Sequence, residues 1–366
     1  MDSYDVLIVG GGPAGSSCAW ALRHSGLRVA ILDKQVFPRD KICGGWITPA
    51  VLSNLEIDAA DYARHHVLQP ITGFRVGAIG GAALDIQYRD PVSYGIRRCE
   101  FDNYLLRRSG AQLLLGSALT SLQRVPEGLE GWAANEGIRA RVIVGAGGHF
   151  CPVARFLGGK ESSPVVAQEV EFQLDACHCR VQGNTPELYF CSDMKGYGWC
   201  FRKGDVLNIG LGRADPLHLP AHVADFLNFL KSAGRICFDV PPLRGHAYLL
   251  HGTSTRSVAG DGYLLAGDAA GLASLQSGEG ILPAVDSGLL AAKSILARDF
   301  SAYRAALAPP PQSLIMRMGQ ALQPPLAGFV ARNLLKTRWF VRDVVINEWF
   351  LHLCDHSRCL PNGGNR

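Results

Sequence analysis

Nowhere in the sequence do apolar residues run far enough to cross a bilayer, which takes about 20 in succession. The longest stretch, ILPAVDSGLLAAKSIL, is broken by Asp286 and Lys293. Charge is also scarce. Charged residues make up 19% of the 366 positions and the net charge is +4. So small an excess gives no electrostatic footprint for nucleic acid, and no basic stripe is interleaved with stacking aromatics. Nucleic acid is therefore excluded as a partner. Cysteine is plentiful, at eleven, but the number is odd and no CxxC pair occurs. That pattern excludes a disulfide framework and fits reduced thiols used as small apolar residues. Only HLCDHSRC would place His352, His356 and Cys359 on a shared helical face, and with no second ligand cluster no metal is expected. The N-terminus enters a strand pattern within a few residues, leaving no room for a signal peptide, so a cytoplasmic protein is expected.

What is present is an apolar-leaning globular composition, 48% hydrophobic, on a chain long enough for one large or two interleaved domains. The stretch YDVLIVGGGPAGSSCAWALRHSGLRVAILDK reads as strand, tight turn, helix and strand. Gly10, Gly12 and Gly15 form GxGxxG, with Pro13 and Ala14 opening the helix. The first glycines let the backbone turn tightly and approach a pyrophosphate, while Gly15 lets helix and strand pack closely. The helix N-terminus offers free N–H groups to phosphates. Asp33 ends the second strand at the spacing of a carboxylate that bonds a ribose 2′-OH. These residues predict a dinucleotide site without separating FAD from NAD.

A second motif, DGYLLAGDAAGLASLQSGEGILPAVDSGLLAA, favours the flavin. Tyr263 to Ala266 read as a buried strand turning at Gly267 and Asp268; Gly278 and Gly280 then open an apolar helix at Ile281, whose first turn tolerates Pro283. Asp268 is placed to bond a ribityl hydroxyl, and the helix start points its N–H groups at the flavin edge where negative charge gathers on reduction. NAD has no ribityl chain, so FAD is the expected cofactor.

Five segments carry a resemblance: GGGPAG with Asp33, FPRDKICGG, RCEFDNYLL, GDAAGLASLQSGEGI and GYGWCFRKGDVLNIGLG. Together they resemble the FAD-dependent superfamily of aromatic hydroxylases and flavin halogenases, nearest in pattern to its geranylgeranyl reductase-like branch. The resemblance implies that Arg98 lies over the FAD, with Arg97 the alternative because the doublet leaves the register open. It also implies that Lys34, Lys41, Cys43 and Gly44 belong to the cofactor's surroundings. Two departures matter. Relatives carry an ADGxxS segment where this chain has Gly147 and Cys151, so the carboxylate is missing. Direct reduction by NAD(P)H is then doubtful, and a separate electron donor becomes the alternative. Leu275 stands where hydroxylases have a proline-bearing loop, which weakens phenol hydroxylation.

Gly44 and Gly45 allow the backbone to approach a planar ligand. Beside them, Cys43 is a proton donor to a substrate carbanion, a redox-sensitive thiol or a packing residue; sequence leaves these open. Tyr197, Trp199 and Phe201 alternate with Gly198 and Cys200, so the rings share one strand face. They form either an aromatic wall for an apolar substrate or a filled core. Tyr197 and Trp199 join Cys43 as candidate catalytic residues.

The expected fold is α/β: a Rossmann-like FAD-binding domain (1–71, 95–160 and 253–300) interleaved with a β-sheet substrate domain (72–94 and 161–252), then a C-terminal helical segment (301–366). In that segment Val330, Leu334, Val341, Val345 and Trp349 recur at near-helical spacing among basic residues, which suits packed helices or peripheral contact with an anionic membrane. The expected function is FAD-dependent hydride transfer to a carbon–carbon double bond of an apolar, isoprenoid-like small molecule. The alternatives are a flavin monooxygenase acting on an aromatic or polyketide-like molecule, and a flavin-binding protein without turnover.

Overall fold

The computed structural model describes residues 2–125, 132–158, 164–174, 179–309 and 324–353. Much of the expected C-terminal helical segment, 310–323 and 354–366, lies outside them, as do His356 and Cys359.

The first strand, Asp2–Val9, alternates two apolar sets. Val6 and Ile8 pack with Ala14, Cys18 and Leu22 of the Pro13–Leu22 helix, while Leu7 and Val9 pack with Trp132, Val153 and Leu265 on the opposite face. A strand buried on both faces belongs in the middle of a parallel sheet. Five strands run parallel in the order Tyr263–Leu265, Ile138–Gly145, Asp2–Val9, Val29–Asp33, Gln112–Leu115. Three short antiparallel strands complete this eight-stranded sheet. The helices Pro13–Leu22 and Ile281–Ala297 lie together on one face, the arrangement of a dinucleotide fold.

A seven-stranded sheet stands beside it, in the order Arg244–Tyr248, Val165–Gln173, Val206–Arg213, Gly196–Lys203, Glu187–Phe190, Gly73–Ala78, Ala83–Gln87. All its pairs are antiparallel except that of Glu187–Phe190 with Gly73–Ala78. The Leu219–Ser232 helix covers one face through Val223, Phe226 and Leu230. The other face carries Phe74, Val76, Leu188, Phe190, Trp199 and Phe201, and over it lies the π-helical segment Phe340–Phe350. A three-stranded sheet joins the two bodies, pairing Ser93–Ile96 with Leu68–Ile71 and with Trp46–Ile47.

Two glycines fix how closely these layers approach. A Cβ on Gly15 would lie 1.9 Å from the Gly10 oxygen, and one on Gly288 would lie 2.2 Å from the Ala14 oxygen. Gly288 thus sets the crossing of the two long helices. Gly288→Ala is expected to cost about 1–3 kcal/mol as an overpacking change, read as a lowered unfolding midpoint in thermal denaturation. An unchanged midpoint would show that the helices part without cost.

Candidate functional site

The dinucleotide loop leaves a cradle rather than a packed turn. Gly10 holds φ +115°, and a side chain there would strike the Ala146 carbonyl at 2.3 Å. A Cβ on Gly12, by contrast, would meet only Arg39 Nη2, at 3.5 Å. Gly12 also caps the Pro13–Leu22 helix without a side-chain bond, so the first-turn N–H groups stay open to a phosphate. Asp33 accepts hydrogen bonds from Gly11 N (2.7 Å) and Gln35 N (2.8 Å), which fixes its carboxylate beside the loop.

Arg39 was not singled out by sequence. It bonds Asp102 Oδ2 at 3.0 Å and lies over the Phe37 ring, while its buried Nη1 has no partner among the described residues. A cation pinned over a glycine loop with donors to spare is well suited to a diphosphate. The only hint in sequence was the arginine of FPRDKICGG, within a segment read for its cysteine.

On the far side of the cradle, Gly267 (φ +60°) turns the chain so that Asp268 Oδ1 lies 3.2 Å from where a Gly280 Cβ would be. Burial raises the Asp268 carboxyl, against the pull of Lys41, Arg98 and His149. Gly278 (φ +68°) faces the Tyr248 hydroxyl, 2.3 Å from a Cβ placed there. Ile281 is buried beside Ile47 and Val51. An open glycine cradle, two carboxylates at its ends and the bare helix start suit FAD. Gly10, Gly12, Pro13, Ala14, Gly15 and Arg39 would take the diphosphate, Asp33 the ribose, and Asp268 with Gly280 the ribityl end.

Lys34 is exposed at the strand end. Gly147 is exposed too, and a Cβ there would press on Cys151 atoms at 3.2–3.4 Å. A carboxylate at that position would need Cys151 to move, which gives the departure noted in the sequence a steric reason.

Arg98 is buried and holds Asp102 through two bonds of 2.8 and 2.9 Å. It also lies against the Cys43 sulfur; burial opposes its charge, but Asp102 and Cys43 raise its pKa overall. Arg97 points elsewhere, to Glu100 and Glu171. Of the doublet, Arg98 is the arginine beside Cys43.

The Cys43–Gly45 turn is clasped from the seven-stranded sheet. Lys203, 1% exposed, donates to the Gly44 carbonyl at 2.9 Å and pairs with Glu171. Asn208 donates to the Cys43 carbonyl at 3.2 Å and accepts the Trp199 indole N–H at 2.7 Å. A Cβ on Gly44 would meet Phe201 at 3.4 Å and Trp199 at 3.6 Å, so both rings lie beside it. Tyr197 lies 5.9 Å from Trp199 and donates to the Ser277 carbonyl. The three rings share one face, as their alternation predicts, while Gly198 backs onto Phe226 on the other. Phe350 packs against Tyr197, and Trp46 stacks on Phe350 at 5.2 Å. The rings are thus partly core and partly the wall nearest the Cys43 loop. Polar side chains occupy the neighbouring rows of the same face: Glu169, Glu171, His246 and Tyr248. Burial first, then Lys41 and Arg98, pushes His246 down to about 4. Burial raises Tyr197 and Tyr248 above the usual tyrosine range.

Replacing Arg39 with Ala is expected to weaken FAD binding about tenfold, equivalent to about 1.4 kcal/mol, in a flavin-fluorescence titration. Unaltered affinity would remove Arg39 from the diphosphate site.

A family model described as FAD dependent oxidoreductase matches residues 5–77. The chain is 30% identical to a menaquinone reductase of Mycobacterium tuberculosis over 334 residues, covering 82% of this chain and 78% of that protein. It is 26% identical to a digeranylgeranylglycerophospholipid reductase of Methanococcus vannielii, covering 82% and 80%. Its fold superposes with a TM-score of 0.70 on a geranylgeranyl bacteriochlorophyll reductase-like protein from Thermoplasma acidophilum, at 21% identity over 92% of this chain and 88% of that one. Taken with the cradle geometry, these likenesses identify the chain as a member of the FAD-dependent oxidoreductase family.

Proposed function

We propose that this enzyme reduces a carbon–carbon double bond in the isoprenoid part of a lipid-like substrate. The carrying observation is the divided inner face of the seven-stranded sheet. Tyr197, Trp199 and Phe201 form an apolar row on one strand; a second, polar group lies beyond the Val206–Arg213 strand, with Glu169 on Val165–Gln173 and His246 and Tyr248 on Arg244–Tyr248, and Asn208 of the strand between them bonds the Cys43 carbonyl. An apolar chain lies against the first row, and proton-bearing groups stand within the second. The names of the two curated relatives support this reading, since each denotes a reductase of an isoprenoid-bearing molecule.

The flavin, when bound, supplies the hydride. The chain's own residues do the rest. Asp33, Asp268 and the two glycine-rich turns hold the cofactor at both ends. Lys203 and Asn208 fix the Cys43–Gly45 turn, so that the substrate is held at one distance from the reacting centre. The rings exclude water from the acceptor carbons. The absent carboxylate at Gly147 supports an electron donor other than directly bound NAD(P)H.

The test is anaerobic. The protein is reduced with dithionite, cleared of excess reductant and mixed with geranylgeranyl diphosphate or menaquinone. Return of the yellow colour with saturated product is expected; a persistently bleached flavin with both probes would retire the proposal.

We also propose that the C-terminal segment rests on an anionic bilayer. Among the described residues no helix is long and apolar enough to cross a membrane. Phe329 (58%) and Trp339 (62%) are nonetheless exposed, with Arg332, Lys336 and Arg338 exposed among them. Apolar anchors set among cations fit an interfacial site. Wild-type protein is expected to sediment with phosphatidylglycerol vesicles, less so at high salt, and the double variant Phe329→Ser, Trp339→Ser several-fold less. Equal sedimentation of both proteins would contradict the contact.

A further inference from the structure

Glu169 lies in the middle of the Val165–Gln173 strand and is 2% exposed. Among the described residues, neither of its carboxyl oxygens has a hydrogen-bond partner. A buried acid left this way is costly whether ionised or neutral, more so when ionised. Other acids as deeply buried are satisfied. Asp102 is held by Arg98 and Arg39, and Glu187 by Arg235 and the Tyr189 hydroxyl.

The strand register explains the missing partner. On one side Glu169 faces Gly210, which has no side chain. On the other it faces Arg244, whose guanidinium turns away to Asp40. A Cβ on Gly210 would lie 2.5 Å from the Glu169 Cβ and 2.3 Å from the Trp199 ring. The glutamate and the indole therefore meet above Gly210, where the apolar row of the sheet passes into the polar one. The groups acting on Glu169 come from several elements around it. Lys203 belongs to the ring-bearing strand, Lys41 to the Cys43 loop, Arg98 to the helix beneath it and Glu171 to its own strand. Tyr197 and Tyr248, on strands at either side, feel it in turn.

We infer that Glu169 is the general acid of the reductive step, an inference that rests on the reductase reading above. Its O–H bond breaks and the proton goes to one carbon of the substrate double bond. The other carbon would receive the hydride that bound, reduced flavin supplies, the flavin ending oxidised in its site. The π bond is lost, two C–H bonds form, and Glu169 remains as carboxylate until solvent returns its proton. Burial keeps the carboxyl protonated at neutral pH by pushing it up to about 8, although Lys203 and Lys41 pull the other way. An acid titrating near the working pH is the effective kind, whereas Tyr197 and Tyr248 hold their protons far more tightly. Glu279, raised by burial to about 7, is engaged at Oε1 by the Leu282 N–H at 2.7 Å, so only its Oε2 is left without a hydrogen bond among the described residues, against both oxygens of Glu169.

The experiment compares wild type with Glu169→Gln and Glu169→Asp, each loaded with FAD and reduced by dithionite, in anaerobic reoxidation by geranylgeranyl diphosphate or menaquinone. Fluorescence titration should show unaltered FAD binding in both variants. The Gln variant should reoxidise at least about 100-fold more slowly, with the Asp variant between. The wild-type rate should fall as pH rises through about 8, and that limb should vanish in Glu169→Gln. A further readout needs no turnover. Between pH 5 and 8 the folded protein holds a proton that the unfolded chain has released, so its stability falls with rising pH. Flavin-free Glu169→Gln should lose that part of the fall. A Gln variant as fast as wild type, with the same pH profile, overturns the assignment while leaving the reductase reading intact. If wild type itself is not reoxidised by either probe, the reductase reading fails and the acid role falls with it. Should neither variant fold, a wild-type rate flat across pH 8 overturns the assignment.

Discussion

Lys203 brings an ammonium into the interior and is held there on two sides at once. Glu171 neutralises it from across the Val206–Arg213 strand, and the Gly44 carbonyl accepts a hydrogen bond from it. Breaking a buried pair by removing one partner leaves an uncompensated charge, so the arrangement resists small distortions. Because Gly44 belongs to the flavin side and Lys203 to the seven-stranded sheet, this pairing sets how the two bodies meet. Asn208 repeats the tie one residue away and extends it to the Trp199 ring. The position of Cys43, the separation of the aromatic row from the cofactor cradle and the meeting of Glu169 with Trp199 above Gly210 all follow from it.

The dinucleotide half was legible because its chemistry is local. Gly10, Gly12, Gly15 and Asp33 fall within one strand–helix–strand unit, and each residue does its work within a few positions of its neighbours. The downstream turn at Gly267 and Asp268 was legible for the same reason. The alternation of Tyr197, Trp199 and Phe201 also disclosed a shared face. What covered that face was not legible, since Phe350 and Trp46 arrive from opposite ends of the chain. Lys203 and Asn208 were hidden likewise: each reads as an ordinary polar residue in a strand, and their meaning lies in carbonyls more than 150 positions away.

Glu169 is the instructive omission. The stretch VVAQEVEFQL reads as an alternating strand, and its inward set is Val165, Ala167, Glu169 and Glu171. A glutamate on the buried phase of such a pattern breaks the rule that makes the strand recognisable. The signal was present in the period, but an alternation is usually inspected for its apolar members. Arg39 escaped for a related reason, being overshadowed by the cysteine four residues on.

The interleaving of the two sheets carries a consequence for biogenesis. The Pro13–Leu22 helix is made early, yet the helix that buries it, Ile281–Ala297, is made more than 250 residues later. The Ile138–Gly145 strand likewise waits for Tyr263–Leu265 to cover its edge. Contacts this distant in sequence slow folding, and the apolar surfaces awaiting them stay exposed meanwhile. The nucleotide cradle thus closes only after most of the chain has been synthesised, so flavin insertion is a late step of maturation rather than a nucleus for it.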